Sequence, residues 1–548
     1  MSLTKVSYSM IRGAPVSVLD FGAVGDGVTN DYSAFVAAAA HIQANGGGRL
    51  VIPFRPLGYS ITCPSNNGPV CDFSGLNLVT IDGDGAYIRF ENTYSSSQGN
   101  TLFQFDACNN IRIRGLFVFN NYTKTVVQSG VRFSYFTNEC QGVSIDDVTF
   151  WGGLAFVQVY KDPADGYGPT NQARGFRIGR VRVKNAWYGI NCQYNGDDFM
   201  VENLETDEVH RSYFIYGVRH HKAFIRSKNN VAEDVAIGSL DGFGCENIDI
   251  DYINTDSTAP TSGNRGSCVD IGLNEGTTYP GPAVMRNIKV NVTATVVPNA
   301  MGYGFTINSG DSVAPGHVLE NIELRGSFSS TWATFNPIHI GYVYPATGTN
   351  FLRNLRLKDI WVGGQAANSF INCRNISFMK LENVNTVAGC FLYGGGDGSK
   401  ILVENCAATS FSNSAVDATA VQFVNTVMTT GTGQGLLNKT IQNSKIGVAP
   451  LNMMPRVWAV LDPAGAVKQS VGVVSTSKIG TGYYAINFET AYSQGNYSGL
   501  ANISGGAFFC EVLQWSSTQA RVQVYNTSGV LVDPANEIMF GLFANPAA

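Results

Sequence analysis

Charged side chains are scarce in this chain: Asp, Glu, Lys and Arg make up 14% of its 548 residues, against the usual quarter. Helices carry their solvated faces on such residues, so the scarcity argues against a largely helical protein. No apolar run approaches the length of a membrane-crossing helix, and "MSLTKVSYSM" at the start has no apolar core of signal-peptide length. The net charge of −5 gives no pull toward nucleic acid or an anionic lipid surface. Eleven cysteines are an odd number, with no C-x-x-C pair, so neither a disulfide framework nor a zinc site is indicated. These features fit synthesis and folding in a reducing cytoplasm. Cys63 and Cys71 are close enough to bridge a small loop, but that setting favours free thiols. What abounds is glycine, at 61 residues, with aromatics at 11%: the composition of a β-rich chain with many turns.

The cysteines mark a repeat. Four of them open the same phrase, "CNNI" at 108, "CQGV" at 140, "CENI" at 245 and "CRNI" at 373. The phrase recurs without cysteine as "ARGF" at 173, "MRNI" at 285, "LENI" at 319 and "LRNL" at 352. A short alternating strand follows each one, and period-two alternation sends every second side chain into a shared interior. The starts step by 32, 33, 72, 40, 34, 33 and 21 residues, which fits coils of about 20 to 25 residues with loops inserted. Strands repeating at that interval predict a parallel β-helix. The Asn has a mechanical role, because it tolerates the left-handed turn conformation and can bond up a column of its own kind. The cysteine beside it is expected to be a small buried hydrophobe.

"DFGAVGDGVTND", residues 20 to 31, could cradle a phosphate, bind calcium or simply turn the chain. Phosphate binding would need a Lys or a G-x-G-x-x-G spacing, and neither is present. Asp20, Asp26 and Asp31 do not have the spacing of an EF-hand loop. Asn30 or Asp31 can instead cap a helix from Tyr32, "YSAFVAAAAHIQA", whose Phe35, Ala38, Ala39 and Ile42 share one face. Such a helix covers the open end of a β-helix. No cofactor and no metal is expected.

"VSVLDFGAVGDGVTND", the alanine-rich helix and "GGGRLVIP" together resemble the N-terminal motif of the pectate-lyase-like β-helix superfamily, in the form found in bacteriophage tailspikes. The lead-in "MSLTKVSYSMIRGAPVSV" is similar to theirs as well. The motif covers about 55 residues, and the repeats carry the resemblance to about residue 430. The resemblance implies a homotrimer of the virion tail that binds, and usually depolymerises, a capsule or O-antigen polysaccharide at the bacterial surface. From the mild net charge and the lack of a membrane-length apolar run, neither a nucleic acid partner nor membrane insertion is expected. No adaptor-sized segment precedes the cap, so either the chain is shortened or it docks onto other tail proteins through its first twenty residues.

The expected organisation is a lead-in and cap over 1–55, a right-handed parallel β-helix over 56–430, a connector over 431–454 and an antiparallel β-sandwich over 455–548. The last resembles tail-fibre C-terminal domains that hold trimers together or touch glycans. Trimerisation is favoured, because a β-helix needs its second open end closed. Trp458, Tyr483, Tyr484 and Trp515 are expected to be exposed there.

Cleavage by hydrolysis commonly needs two carboxylates, about 5 to 5.5 Å apart for retention or 6.5 to 9.5 Å for inversion. Coils about 4.8 Å apart can supply either gap. Aligning the apolar runs midway between the Asn turns gives an outward column of Arg132, Gln158, Asn191, Gln193, Tyr216, Asp270, Thr306 and His339. Asp270 is its one carboxylate. Asp241, about one coil earlier, and Glu275, in the following loop, are candidate partners. "LETDEVHRSYF" at 204 offers Glu205, Asp207 and Glu208 beside His210 and Arg211. "NGDD" at 195 is similar to the aspartate pair of polygalacturonases, making Asp197 and Asp198 a further lead, though that family's Gly-His-Gly and Arg-x-Lys phrases are missing. Tyr160, Tyr194 and Tyr216 suit sugar stacking, with Arg211, Asn191 and His339 as polar contacts. Eliminative cleavage is the chemical alternative, with Arg211, Arg219, His220, His221, Tyr213 or Tyr216 as base or neutraliser. Binding without turnover is a third reading.

Overall fold

A computed structural model describes residues 14–64, 68–90, 100–120, 131–160, 173–230, 233–239, 243–255, 267–273, 283–295, 303–309, 318–329, 338–340, 352–363, 371–376, 378–386, 390–394, 400–408, 411–412, 420–428, 439–442, 445–446, 457–471, 473–488, 497–503, 508–516, 518–526, 528, 530–534 and 537–544. Contacts divide the chain into two compact units, 1–425 with 433–442, and 426–432 with 443–548.

The first unit is a right-handed parallel β-helix, the hand that parallel crossovers almost always take. Among the described residues the coils stack into three parallel sheets. Sheet A stacks Val79, Ile111, Val143 and Phe176 in register. It continues through Phe199, His221, Ile248 and Ile288 to Val421. Sheet B stacks Ile88, Val118 and Phe150. Sheet C runs from 69–72 through 188–193 and 267–273 to 371–373. Lys439–Gln442 still pairs in parallel with Val421–Val424, so the stack runs on into the stretch expected to be a connector.

The interior is filled by like side chains lying on one another. Phe73, Phe105, Phe136, Phe176 and Phe199 form a continuous column with centroid separations of 5.6, 4.9, 5.1 and 4.2 Å. Nearer the turn between sheets B and C the interior is polar. Asp234 is fully buried, and its carboxylate accepts from Ser227 Oγ at 3.0 Å, Asn254 Nδ2 at 2.9 Å and the Tyr252 hydroxyl. A buried carboxylate persists only with such donors around it.

The turn into sheet A is where the repeated phrase acts. Asn110, Asn247, Asn287, Asn321 and Asn354 all have φ between 55 and 57°. Asn287 donates to Asn247 at 2.9 Å, Asn321 to Asn287 at 3.1 Å and Asn354 to Asn321 at 2.7 Å. Cys108, Cys140 and Cys245 are fully buried beside them, with thiols directed at backbone carbonyls. The 72-residue gap holds two coils whose turns use Asp198 (φ 57°) and His220 (φ 52°) instead of Asn. One phrase is a false match: Leu352 pairs with Ile376 rather than Cys373, and Cys373 lies in sheet C opposite Ile340. Cys63 and Cys71 are both buried and are not joined in a disulfide.

The helix α1, Tyr32–Ala44, buries Phe35, Ala38, Ala39 and Ile42 as the spacing requires, and Phe35 meets Tyr59 edge-on at 5.5 Å. Of the two residues expected to cap it, Asn30 does so and Asp31 does not. Asp31 occupies the N-cap but turns its carboxylate back to the glycine-rich loop, accepting from Val24 N at 2.6 Å and Gly25 N at 3.3 Å. Asn30 Oδ1 takes the Tyr32 N–H at 3.1 Å. Asp26 folds its own turn by accepting from Val28 N and Thr29 N, which lowers its pKa from the ordinary aspartate value. Asp20 accepts from Ser17 N at 3.3 Å. All three carboxylates are engaged in backbone turns.

The second unit contains a β-sandwich of two four-stranded antiparallel sheets. Leu461, Tyr484, Ile486, Val522, Ile538 and Phe540 lie in its core. Tyr484 is fully buried and donates to Pro463 O at 3.0 Å, which corrects the expectation that it is exposed. Tyr483 is half-buried under Arg521. The side chains of Trp458 and Trp515 lie outside the described residues.

Candidate functional site

Sheet C carries the outward residues picked from the sequence, distributed over three rows instead of one. The central row, read along successive coils, is Tyr135, Gln158, Asn191, Phe214, Ala236, Asp270, Thr306 and His339. Arg132 lies one row upstream, in register with Ala155, Tyr188 and Arg211. Gln193 and Tyr216 lie one row downstream, with Tyr160 and Gly238. The strands are irregular here, because Phe156 and Val157 are adjacent yet both fully buried. A strict two-residue period therefore misassigns rows.

Phe214 shares an apolar patch with Leu154, Ala155, Trp187, Tyr188 and Ala236 outside the main interior, and Tyr216 packs against it. The Tyr216 ring lies over Gly238, where a Cβ would come within 2.4 Å of it. Tyr216 meets Phe214 at 4.3 Å, and the Arg211 guanidinium lies over the Phe214 ring at 5.1 Å. Tyr160 and Tyr194 meet edge-on at 6.0 Å, and Tyr194 is buried. Asn191 is nearly buried and accepts from Gln193 Nε2 at 2.9 Å. His339 is half-buried, two coils beyond Asp270.

Asp270 is half-buried between Ala236 on one coil and Thr306 on the next. The Thr306 hydroxyl donates to its Oδ1, and Ser267 Oγ lies 2.7 Å from Thr306 Oγ1. Asp241 and Glu275 lie outside the described residues. The coil before Asp270 presents a different acid, Glu233, which the sequence reading missed. Its neighbour Asp234 is drawn into the interior by Ser227 and Asn254, which turns Glu233 outward. Arg211 grips one Glu233 oxygen through Nε at 3.0 Å and Nη2 at 2.9 Å. Burial works against the charge of this guanidinium, yet Glu233 holds its pKa above the ordinary value. One coil and about three residues separate Glu233 from Asp270, or roughly 11 Å between backbones at standard strand spacings. Arg211 draws Glu233 toward the coil before it and Thr306 draws Asp270 toward the coil after it, so the two carboxylates stand wider apart than the gap used for inversion.

The other proposed acids sit elsewhere. Glu205 is on the outer face of sheet B, 2.9 Å from Arg182 Nε and in register with Arg226. Glu208 (φ 56°) and Asn229 (φ 54°) occupy successive turns from sheet B to sheet C. Asp198 takes the Asn position of the turn into sheet A, and its neighbour Asp197 meets His220 Nδ1 at 2.7 Å. The two histidines divide: His220 stands at that turn, whereas His221 is inside the coil, stacked on Phe199. Tyr213 is also interior, its hydroxyl 2.7 Å from His221 Nδ1. No group of three or more His, Cys, Asp or Glu placed to hold a metal occurs among the described residues.

Fold and site together define a parallel β-helix protein with a broad aromatic and polar face on one sheet. No family model matches the chain. Among curated proteins it is similar to a probable polygalacturonase of Arabidopsis thaliana, 30% identical over 131 residues, which is 18% of this chain and 29% of that protein. The chain thus spans under a third of that relative's length. Among solved structures it is similar to the tailspike protein of E. coli bacteriophage HK620. A mutant of that protein in complex with a pentasaccharide is 12% identical with a TM-score of 0.45, and a double mutant is 14% identical with a TM-score of 0.47. Each alignment covers 96% of this chain and 93% of the other.

Proposed function

We propose that this protein is a homotrimeric tailspike of a phage virion that binds a bacterial surface polysaccharide along sheet C and cleaves it by glycoside hydrolysis. The observation that carries the reading is the placement of Asp270: one carboxylate in the central outward row, in register with Thr306 and two coils from the half-buried Tyr216 ring, which packs on a buried patch of Phe214 and Tyr188. Aromatic faces bind the apolar faces of sugars, and a carboxyl group beside them can protonate a glycosidic oxygen or activate water. Glu233 is the described candidate for the second carboxylate. The N-terminal motif quoted above supports the tailspike setting. Of the groups that could serve elimination, His221 and Tyr213 are enclosed in the coil and His220 is held at a turn by Asp197, whereas Arg211 and Tyr216 lie on sheet C, so elimination is the second reading.

Incubation with capsules and O-antigens from many bacterial strains tests the reading. Hydrolysis releases reducing ends without the ultraviolet absorbance of an unsaturated uronate. Appearance of that absorbance would replace hydrolysis with elimination. Tight binding to a glycan without release of fragments would make the protein an adhesin.

A further inference from the structure

Sheet B has an outer face that the proposed cleavage does not use. Two adjacent rows run along it, two residues apart on each strand. One reads Tyr87, Phe117, Thr149, Arg182, then Glu205 and Arg226. The other reads Phe119, Trp151, Lys184, then Asp207 and Lys228. Aromatic rings therefore occupy the first coils and ion pairs the next. Tyr87 stacks on Phe117 at 5.3 Å, and Phe119 meets Trp151 edge-on at 5.6 Å. The two blocks join where Lys184 Nζ lies over the Trp151 ring at 5.1 Å. A cleft of about 400 Å³ opens at this junction, lined by Phe117, Trp151, Arg182, Lys184, Asp207 and Lys228 among others.

The charges there do not cancel. Asp207 sits between Lys184 at 3.2 Å and Lys228 at 3.4 Å, while Glu205 sits between Arg182 and Arg226, giving four cations to two carboxylates. Asp207 is the more enclosed partner, 20% exposed against 38% for Lys184 and 52% for Lys228. The acids thus anchor the cations from below and leave ammonium groups toward solvent. Phe117, Phe119 and Trp151 are all half-buried, presenting ring surface beside those groups. A pyranose ring stacks on an aromatic face, and a sugar carboxylate pairs with Lys and Arg. Both demands are met within one cleft.

We infer that this cleft is a second, non-catalytic binding site for an acidic oligosaccharide, with the sugar against Trp151 and Phe117 and its carboxylate on the solvent side of the Lys184 and Lys228 ammonium groups, opposite Asp207. It rests on the reading of the protein as a polysaccharide binder but not on the chemistry assigned to Asp270. A second site on another face would let one molecule hold a glycan strand that is not in the cleavage groove, raising local concentration without new contacts at the groove.

Titration of the full chain with an oligogalacturonate, followed by tryptophan fluorescence and calorimetry, tests the inference, with a neutral maltooligosaccharide of equal length as the control. The expected result is preferential binding of the acidic probe that weakens with salt. In a Lys184→Gln, Lys228→Gln variant of unchanged circular dichroism the binding should fall at least tenfold, while Asp270→Asn leaves it unchanged. Equal affinity for both probes, no binding of the acidic one, or loss of binding in Asp270→Asn alone would overturn it. A shift of the lysine variant to a smaller assembly on light scattering would also overturn it, by making this face a contact between copies. Fragment release from the natural glycan by the lysine variant would show that the cleavage reading survives such a failure.

Discussion

The His221 imidazole lies flat on Phe199, with centroids 4.5 Å apart and planes within 12°, as the last ring of the aromatic column inside the coil. Full burial drives its pKa down from 6.5 to about 3, with a smaller push from His220 in the same direction. The folded protein therefore keeps this ring neutral where the unfolded chain protonates it. Stability contributed by the neutral ring is present above pH 6.5 and is lost progressively as pH falls toward 3. At about 1.4 kcal/mol per pH unit, the whole loss is on the order of 5 kcal/mol. His221→Phe should unfold with a shallower acid dependence between pH 6.5 and 4 than the parent, measured by thermal melting at several pH values. The variant should start lower at pH 7, since the Tyr213 hydroxyl loses its partner. Equal slopes would exclude His221 as a source of acid sensitivity.

Asp270→Asn should preserve assembly and glycan binding while reducing fragment release by at least a thousandfold, as expected when an acid–base group is removed. Glu233→Gln should give a comparable loss, whereas Glu205→Gln should remain within about twofold of the parent, in line with its ion-paired place on sheet B. Reducing-end assays on the susceptible glycan, with light scattering for assembly, separate these outcomes. Full activity in Asp270→Asn would remove it from the site.

Gly238 provides the floor for Tyr216, so Gly238→Ala should lift the ring from its seat beside Phe214. A several-fold weakening of glycan affinity is expected, with the maximal cleavage rate much less affected. Steady-state kinetics on size-fractionated polysaccharide would show this as a rise in KM. A change confined to kcat would place Tyr216 outside the binding surface.

Asn287 holds a left-handed turn and two rungs of the amide ladder, donating to Asn247 and accepting from Asn321. Asn287→Ala should cost roughly 2 to 3 kcal/mol, the sum of backbone strain and a lost hydrogen bond. Asn287→Gly should cost less, because it keeps the backbone angle. Denaturant unfolding of the two variants side by side measures the difference, and equal losses would assign the whole effect to the amide.

Much of the architecture was legible because local and long-range signals agree: Asn287, Asn321 and Asn354 follow the same apolar position, and Phe35, Ala38, Ala39 and Ile42 share a helical face. The coils carrying Asp198 and His220 were hidden because a left-handed turn accepts several polar residues, so their acid and base character looked like chemistry. "CRNI" at 373 shows the converse, a matching phrase that pairs three residues out of step. The outward rows of sheet C were blurred by the adjacent inward residues Phe156 and Val157, which alternation cannot anticipate. Glu233 was missed because nothing local shows that Asp234 turns inward. That choice depends on Tyr252 and Asn254, one coil away in space and about twenty residues along the chain.

Each coil is bonded only to the one before it and the one after it, so the stack is in effect a ruler graduated in single turns. Whole graduations could be added or removed in evolution without re-solving the rest of the interior. Variation in the segments between graduations would then retune what the outer wall recognises while the ruler itself stayed the same.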